Sequence, residues 1–413
     1  MNAPRHLASA VLLLSASVAA CSSGTGSSAA PRAVEETLGR VSSPVIKGKD
    51  SDNSQDAVVL IIHYDPAKRD FGSCTGTLIS DRLVLTARHC VADTDESAAC
   101  DSMGVPLAMG EIRGNHKADK LYVFTGTKRP DFRTGDVTPD GQGAQIFDDG
   151  GTNLCNHDIA LVALKEPIPN AKIAPLRLDE PIVKGETVTA VGWGVTDETA
   201  QPDIRQQRTG IKIEEIGPDD TSVLPVPPNE FAVGESICSG DSGGPALASS
   251  GAIIGIVSRG GNATKPTSDP ASSCIGGENL YTKVSPFKEL IMTAFEAVGA
   301  DPWLENGPDP RLAKAGTVCT DGAECRSNLC LTDPKTKALA CAQDCPTGEC
   351  PTGLACVAEG EAQVCRAPAP PATKTTTTSG CAAAPSGAGG NGAIGFVLAL
   401  LGLVALRRKS SAS

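Results

Sequence analysis

The sequence predicts an all-β domain closed by one helix and followed by a small disulfide-stapled module. Three observations predict it. Between residues 57 and 280, short runs rich in β-branched and aliphatic residues (AVVLIIHY, TLISDRLVLTA, DIALVAL, ETVTAVGW, AIIGIVS) recur between Gly, Pro, Asp and Asn turns, the spacing of a sandwich or barrel. The convincing helical pattern in this part is VSPFKELIMTAFEAVGA, where Phe287, Leu290, Ile291 and Phe295 recur at helical spacing after a Ser-Pro start. Over residues 301–366 the strand pattern gives way to eight cysteines, and a core this small needs cross-links.

The 413 residues leave room for two or three domains, and the 40% hydrophobic content suffices for a full core. A formal charge of -12, with no Lys/Arg cluster before the last residues, excludes nucleic acid as a partner. An acidic surface instead keeps an exported protein soluble. Export is expected from MNAPRHLASAVLLLSASVAAC, where Arg5 and His6 precede an apolar run and small residues, the layout of a signal peptide over residues 1–20. The VAAC end admits two outcomes, a lipid on Cys21 or simple cleavage. Residues 21–44, rich in Ser, Gly and Ala, read as a tether or propeptide.

In an exported chain, sixteen cysteines read as disulfides. Six lie between Cys74 and Cys274, eight between Cys319 and Cys365, and Cys21 and Cys381 stand beside apolar segments. Zinc is the competing reading of the eight, but that segment holds no C-x2-C pair and no histidine. Their connectivity stays open, since eight cysteines allow about 105 pairings. Residues 367–391 form a Pro/Thr- and then Gly/Ala-rich linker. Residues 392–413 hold 15 apolar residues, Gly392 to Leu406, and a basic end. That is short for a membrane span, which takes about 20, with the basic end expected on the cytoplasmic side.

The stretch CSGDSGGPAL, residues 238–247, sets Ser242 between an aspartate and two glycines. Such a stretch is either a tight turn or the seat of a nucleophile. A serine attacks a carbonyl only if a base takes its proton, an acid orients the base and N–H donors receive the oxyanion. His89 ends the apolar run LVLTARHC, and a disulfide between Cys74 and Cys90 would pin its loop to the preceding hairpin. Asp158 immediately precedes the apolar strand of CNHDIALVAL, where an acid is poorly solvated and needs a partner.

TARHC, HDIALVAL and CSGDSGGPAL, in that order, resemble the chymotrypsin/trypsin-like serine proteases. The resemblance covers residues 45–300 and includes AVGWGVT around Trp193, GIVSRG at 255–260 and LYTKVSPFKELI. It implies two six-stranded antiparallel barrels with a C-terminal helix. It also implies an endopeptidase acting on protein or peptide substrates, with Ser242 as nucleophile, His89 as base and then acid, and Asp158 fixing the His tautomer. The amides of Gly240 and Ser242 would form the oxyanion hole. Cys238 would pair with Cys274 to brace the pocket, leaving Cys100 and Cys155 to pair around an inserted loop. His63, His116 and His157 read as surface or core residues.

In the family, an N-terminal amine released from the zymogen pairs with the aspartate before the nucleophile, here Asp241. The matching terminus is Val45, but Pro44 stands before it where the family has Arg or Lys. Either a proline-tolerant or surface protease releases Val45, or the enzyme stays latent. Ser236 falls where trypsin-like enzymes carry the aspartate at the base of the S1 pocket, so a bound Arg or Lys lacks a counter-charge unless Glu235 turns inward. Gly260 leaves the pocket entrance open, Asn279 narrows it, and Ser258 to Gly260 form the substrate-pairing strand. Arg259 replaces the family's tryptophan there.

The tail is similar to the myxobacterial C-terminal sorting signal, in which the apolar helix is removed after export and the protein is displayed at the bacterial surface, here near Cys381. The acidic stretches DTDES and DVTPDGQGAQIFDDGG read as solvated loops rather than calcium sites, since neither has trustworthy ligand spacing. No cofactor or metal is expected. The rival function is a non-catalytic surface binding or adhesion protein that keeps the fold and works through its cysteine-rich module.

Overall fold

The computed structural model describes residues 39–40, 45–95, 97–134, 137–195, 202–262, 271–333, 336–345, 347–350, 352–360 and 362–366. The signal-like start, Cys21, the linker with Cys381 and the apolar tail lie outside the described residues. Among the described residues no helix is long and apolar enough to cross a membrane.

The chain divides into two compact units, Met1–Asp344 and Cys345–Ser413. In the first, β1 (Val58–Asp65), β2 (Asp70–Ser80), β3 (Leu83–Thr86), β4 (Leu121–Phe124), β5 (Gly141–Phe147) and β6 (Ala160–Leu164) close an antiparallel barrel in the order β4-β5-β6-β3-β2-β1. Its interior is Val59, Ile61, Leu78, Val84, Leu121, Val123 and Val162. These are alternate positions of the aliphatic runs, whose period of two puts one set of side chains inside. The second acidic stretch is thus no loop throughout, because residues 141–147 of it are barrel strand β5.

A second barrel follows. β7 (Thr187–Gly192), β8 (Gln206–Ile216), β9 (Glu230–Val233), β10 (Pro245–Leu247), β11 (Ile253–Gly261) and β12 (Glu278–Lys283) pair as β7-β8-β9-β12-β11-β10. Pairing of β10 back onto β7 closes it. Val188, Ile211, Ile213, Phe231, Val233, Ile254, Val257 and Tyr281 fill it, with Phe231 and Tyr281 stacked at 5.3 Å. The chain therefore has the chymotrypsin-like architecture of two six-stranded antiparallel barrels.

The predicted helix enters through a 3-10 turn, Ser285–Phe287, where the proline sits, and continues as α1 (Lys288–Val298). Gly299 in the left-handed conformation ends it. Its Ile291, Ala294 and Phe295 join Leu85, Leu161, Leu176, Val191, Ile253 and Ile256 in one core that reaches both barrels. Leu176 bridges to Leu304, and Arg177 grips Glu305 with two hydrogen bonds of 2.5 and 2.9 Å. The chain leaving the helix is thereby fastened back onto the barrels.

All eight cysteines of the module are bonded to one another, Cys319 to Cys330 and Cys325 to Cys341 in the first unit, Cys345 to Cys356 and Cys350 to Cys365 in the second. Thiolates for zinc are not left over. The region also keeps more strand than its sequence promises, as hairpins Cys330–Thr332 with Leu339–Cys341 and Ala355–Glu359 with Ala362–Arg366.

Candidate active site

His89 sits in a single 3-10 turn, Arg88–Cys90, directly after β3. The Cys74–Cys90 disulfide ties that turn to β2. Asp158 lies just before β6, and since β6 pairs with β3 the two residues meet at the same end of the barrel. His89 Nδ1 stands 2.9 and 3.0 Å from the two Asp158 carboxylate oxygens, and the His89 amide donates to Asp158 Oδ1 at 3.0 Å. Ser258 of β11 donates its hydroxyl to Asp158 Oδ2 at 2.6 Å. Ser258 lies on the strand expected to pair with substrate, and its side chain braces the acid from the second barrel.

Asp158 is fully buried. Burial alone would push its carboxyl up, but the His89 charge and the bonds from His89 and Ser258 outweigh that and hold it below the usual carboxylate range. His89 Nε2 has no hydrogen-bond partner among the described residues.

The loop between β9 and β10 carries Ser242, which is buried. The Ser242 carbonyl accepts from the Thr75 amide at 2.9 Å and lies 3.4 Å from Cys90 Sγ of the Cys74–Cys90 disulfide, so the nucleophile candidate is held against the residue next to His89. Gly240 has φ 111°, a region open to glycine. A Cβ there would come within 2.9 Å of Gly194 Cα. Its carbonyl accepts from Thr75 Oγ1 at 2.8 Å, and that same oxygen accepts from the Trp193 amide at 3.1 Å. Thr75 therefore couples the loop to the start of the second barrel. It escaped sequence reading because nothing local in GSCTGTLIS marks it.

Asp241 is fully buried. Its Oδ1 accepts from the Gly194 amide at 3.1 Å, while Oδ2 has no partner. Burial pushes this carboxyl well above the usual range. Arg129, which donates to the Trp193 carbonyl, is the cation that opposes the shift. Val45 and Ile46 are fully buried, and the Ile46 amide donates to the Ser236 carbonyl at 3.0 Å.

Where the resemblance places the specificity pocket, Ser236 is buried with its hydroxyl 3.5 Å from the Tyr281 hydroxyl. Glu235 does not turn to meet it. It pairs with Lys47 at 2.7 Å and accepts from the Gly276 amide at 2.6 Å. Asn279 donates to the Gly234 carbonyl at 3.0 Å, and its Oδ1, buried without a partner, lies 2.4 Å from where a Cβ on Gly260 would stand. Gly260 is also the register partner of Arg40 in a two-residue strand, Gly39–Arg40, that adds antiparallel to β11. Cys238 is bonded to Cys274 and Cys100 to Cys155. Asp93 and Asp95 of the first acidic stretch pair with Arg113 at 3.2 and 2.8 Å.

Fold and site together define a double-barrel protein in which a buried Asp–His pair and the loop carrying Ser242 are both fastened to the first barrel. The family model described as Trypsin matches residues 45–291, and the chain belongs to that family of serine proteases. Phenoloxidase-activating factor 3 of Holotrichia diomphalia is 28% identical over 271 residues, 60% of this chain and 71% of its own. Chymotrypsin of Phaedon cochleariae is 29% identical over 237 residues, 54% of this chain and 72% of its own. Snake venom serine protease Haly-2 of Gloydius brevicauda is 29% identical over 263 residues, 60% of this chain and 87% of its own.

Proposed function

We propose that the chain is an exported serine endopeptidase, made as a zymogen, that hydrolyses peptide bonds through an acyl-enzyme on Ser242. The observation that carries this reading is the buried Asp158, which takes hydrogen bonds from the His89 amide, the His89 ring and Ser258 while His89 Nε2 is left without a partner. In this mechanism His89 Nε2 takes the Ser242 proton as Oγ attacks the scissile carbonyl, then returns it to the leaving amine. Asp158 holds the Nδ1–H tautomer and stabilises the imidazolium. The Gly240 and Ser242 amides receive the oxyanion.

The zymogen reading rests on Asp241. A buried carboxyl with one oxygen unpaired feels Arg129 only through its charge and has no cation bonded to it among the described residues; the amine of a chain beginning at Val45 would supply one. An activating protease that accepts Pro44 is then required. The Gly39–Arg40 strand supports latency independently, since it occupies β11 at Gly260, where a bound peptide would pair.

For specificity, the neutral Ser236, the outward Glu235 and the Asn279 side chain beside Gly260 favour a small uncharged P1 residue over Arg or Lys. Surface display by residues 392–413, with or without lipid at Cys21, remains part of the proposal, and the seven disulfides suit an extracellular protein.

The test is labelling with a fluorophosphonate serine probe. Chain beginning at Val45 should label, its Ser242→Ala variant should not, and chain retaining residues 21–44 should label far more slowly. A folded mature form that never labels would shift the reading to a surface binding protein.

A further inference from the structure

His63 and His116 do not stand apart as isolated surface or core residues. His63 lies on β1 with its side chain 6% exposed. His116 follows the short strand Ile112–Asn115, and its amide donates to the Val91 carbonyl at 2.8 Å. The two rings stack at 3.7 Å between centroids, 11° from parallel. Asp70, the first residue of β2, places Oδ2 3.5 Å from His63 Nδ1 and is 44% exposed. One nitrogen from each ring and one Asp70 oxygen lie within 4.8 Å of one another.

We propose that His63, His116 and Asp70 form a binding site for a divalent transition-metal ion, Zn²⁺ by the match of donors, with a solvent water as fourth ligand. Two imidazoles and one carboxylate are a donor set that suits Zn²⁺ and disfavours Ca²⁺ and Mg²⁺, which take oxygens. Tetrahedral Zn²⁺ with bonds of about 2.0–2.1 Å needs its ligand atoms some 3.3 Å apart; His63 Nδ1 and Asp70 Oδ2 already stand 3.5 Å apart, and His116, whose ligand nitrogen lies within 4.8 Å of both, makes the adjustment. Parallel rings cannot aim both lone pairs at one point, so binding swings His116, the less enclosed ring, out of the stack.

Two further features favour capture of an ion. Among the described residues, neither ring makes a hydrogen bond; Asp70 at 3.5 Å is the nearest partner. Asp65, Lys68 and Asp93 are the other charged groups facing the pair, two of them acidic. The site lies off the proposed catalytic centre but is linked to it, since Val91 is two residues from His89.

Competition titration of the full chain against a chromogenic zinc chelator tests the site, with Co²⁺ absorption as a second readout. One equivalent of Zn²⁺ should bind, with a Co²⁺ band typical of four-coordinate N/O ligation. His116→Gln, on the loop, should weaken Zn²⁺ at least about tenfold, Asp70→Asn should weaken it less, and His89→Gln should leave it unchanged. Loss of binding in His89→Gln with retention in His116→Gln would place the ion on the catalytic histidine and overturn the proposal. Absence of Zn²⁺ binding to the unsubstituted chain would overturn it too. Since buried His63→Gln risks misfolding, the decision rests on His116→Gln, whose fold is certified by a circular dichroism spectrum and unfolding midpoint matching the unsubstituted chain.

Discussion

Arg259 and Glu230 meet through two parallel hydrogen bonds of 2.8 and 2.7 Å, both side chains sealed from solvent. Arg259 Nη2 also donates to Cys100 Sγ, so the guanidinium points inward under the inserted loop rather than into the substrate groove. Glu230 in turn accepts from the Asn156 amide at 3.2 Å. Removing one member leaves the other a buried, uncompensated charge. Arg259→Met should therefore cost about 3–5 kcal/mol of stability, and the joint Arg259→Met and Glu230→Leu replacement should recover most of it. Denaturant unfolding of the three proteins measures this, and equal losses in the single and double variants would contradict it.

Asp241 carries a pH dependence of known sign. Its folded carboxyl is raised, so the folded chain keeps a proton that the unfolded chain releases above about pH 4. Stability of the chain retaining residues 21–44 should fall as pH rises from that value toward the raised one. Asp241→Asn keeps an acceptor for the Gly194 amide and removes the titration. The variant should match the parent near pH 4 and exceed it in unfolding midpoint near pH 8. Freeing the Val45 amine should cancel the difference.

In the proposed enzyme Ser236 and Asn279 control what the pocket admits. Ser236→Asp should introduce cleavage after Arg and Lys, and Asn279→Gly should extend cleavage to larger apolar P1 residues by about 10–200-fold in relative kcat/KM. A panel of peptides differing at P1 reads both. A parent enzyme that already prefers Arg or Lys would refute the neutral-pocket assignment.

Thr75 is a relay between the barrels. Thr75→Val keeps the shape but leaves the Trp193 amide unpaired and the Gly240 carbonyl free. Stability should drop by about 1–3 kcal/mol. Because Gly240 is a proposed oxyanion donor, kcat should fall more than KM rises, as steady-state kinetics on one peptide would register.

Sequence reading singled out His89 and Asp158 as a base and an acid abutting apolar strands and Ser242 from its aspartate and glycine neighbours, and the structure brings His89 and Asp158 within hydrogen-bonding distance. It identified the barrel strands through a periodicity carried by neighbours in the chain. Thr75 with Gly240, Arg259 with Glu230 and His63 with His116 are joined across 165, 29 and 53 positions, and no single segment advertises its distant partner. The module shows the same divide. Its cysteines announced cross-links, but two successive interleaved pairs, separated by 11 and 16 and then by 11 and 15 residues, emerge from the folded chain alone.

The Gly39–Arg40 strand on β11 has a kinetic meaning. While it shares a chain with the barrels, its effective concentration at that sheet edge is of the order of millimolar, as for a segment joined by a short link, and in the proposed enzyme an incoming peptide must compete against that. A cut before Val45 turns the contact into an encounter between two molecules, and dilution then clears the edge. The same scission that frees an amine for Asp241 would thus vacate the groove, so that one bond controls both the machinery and the access to it.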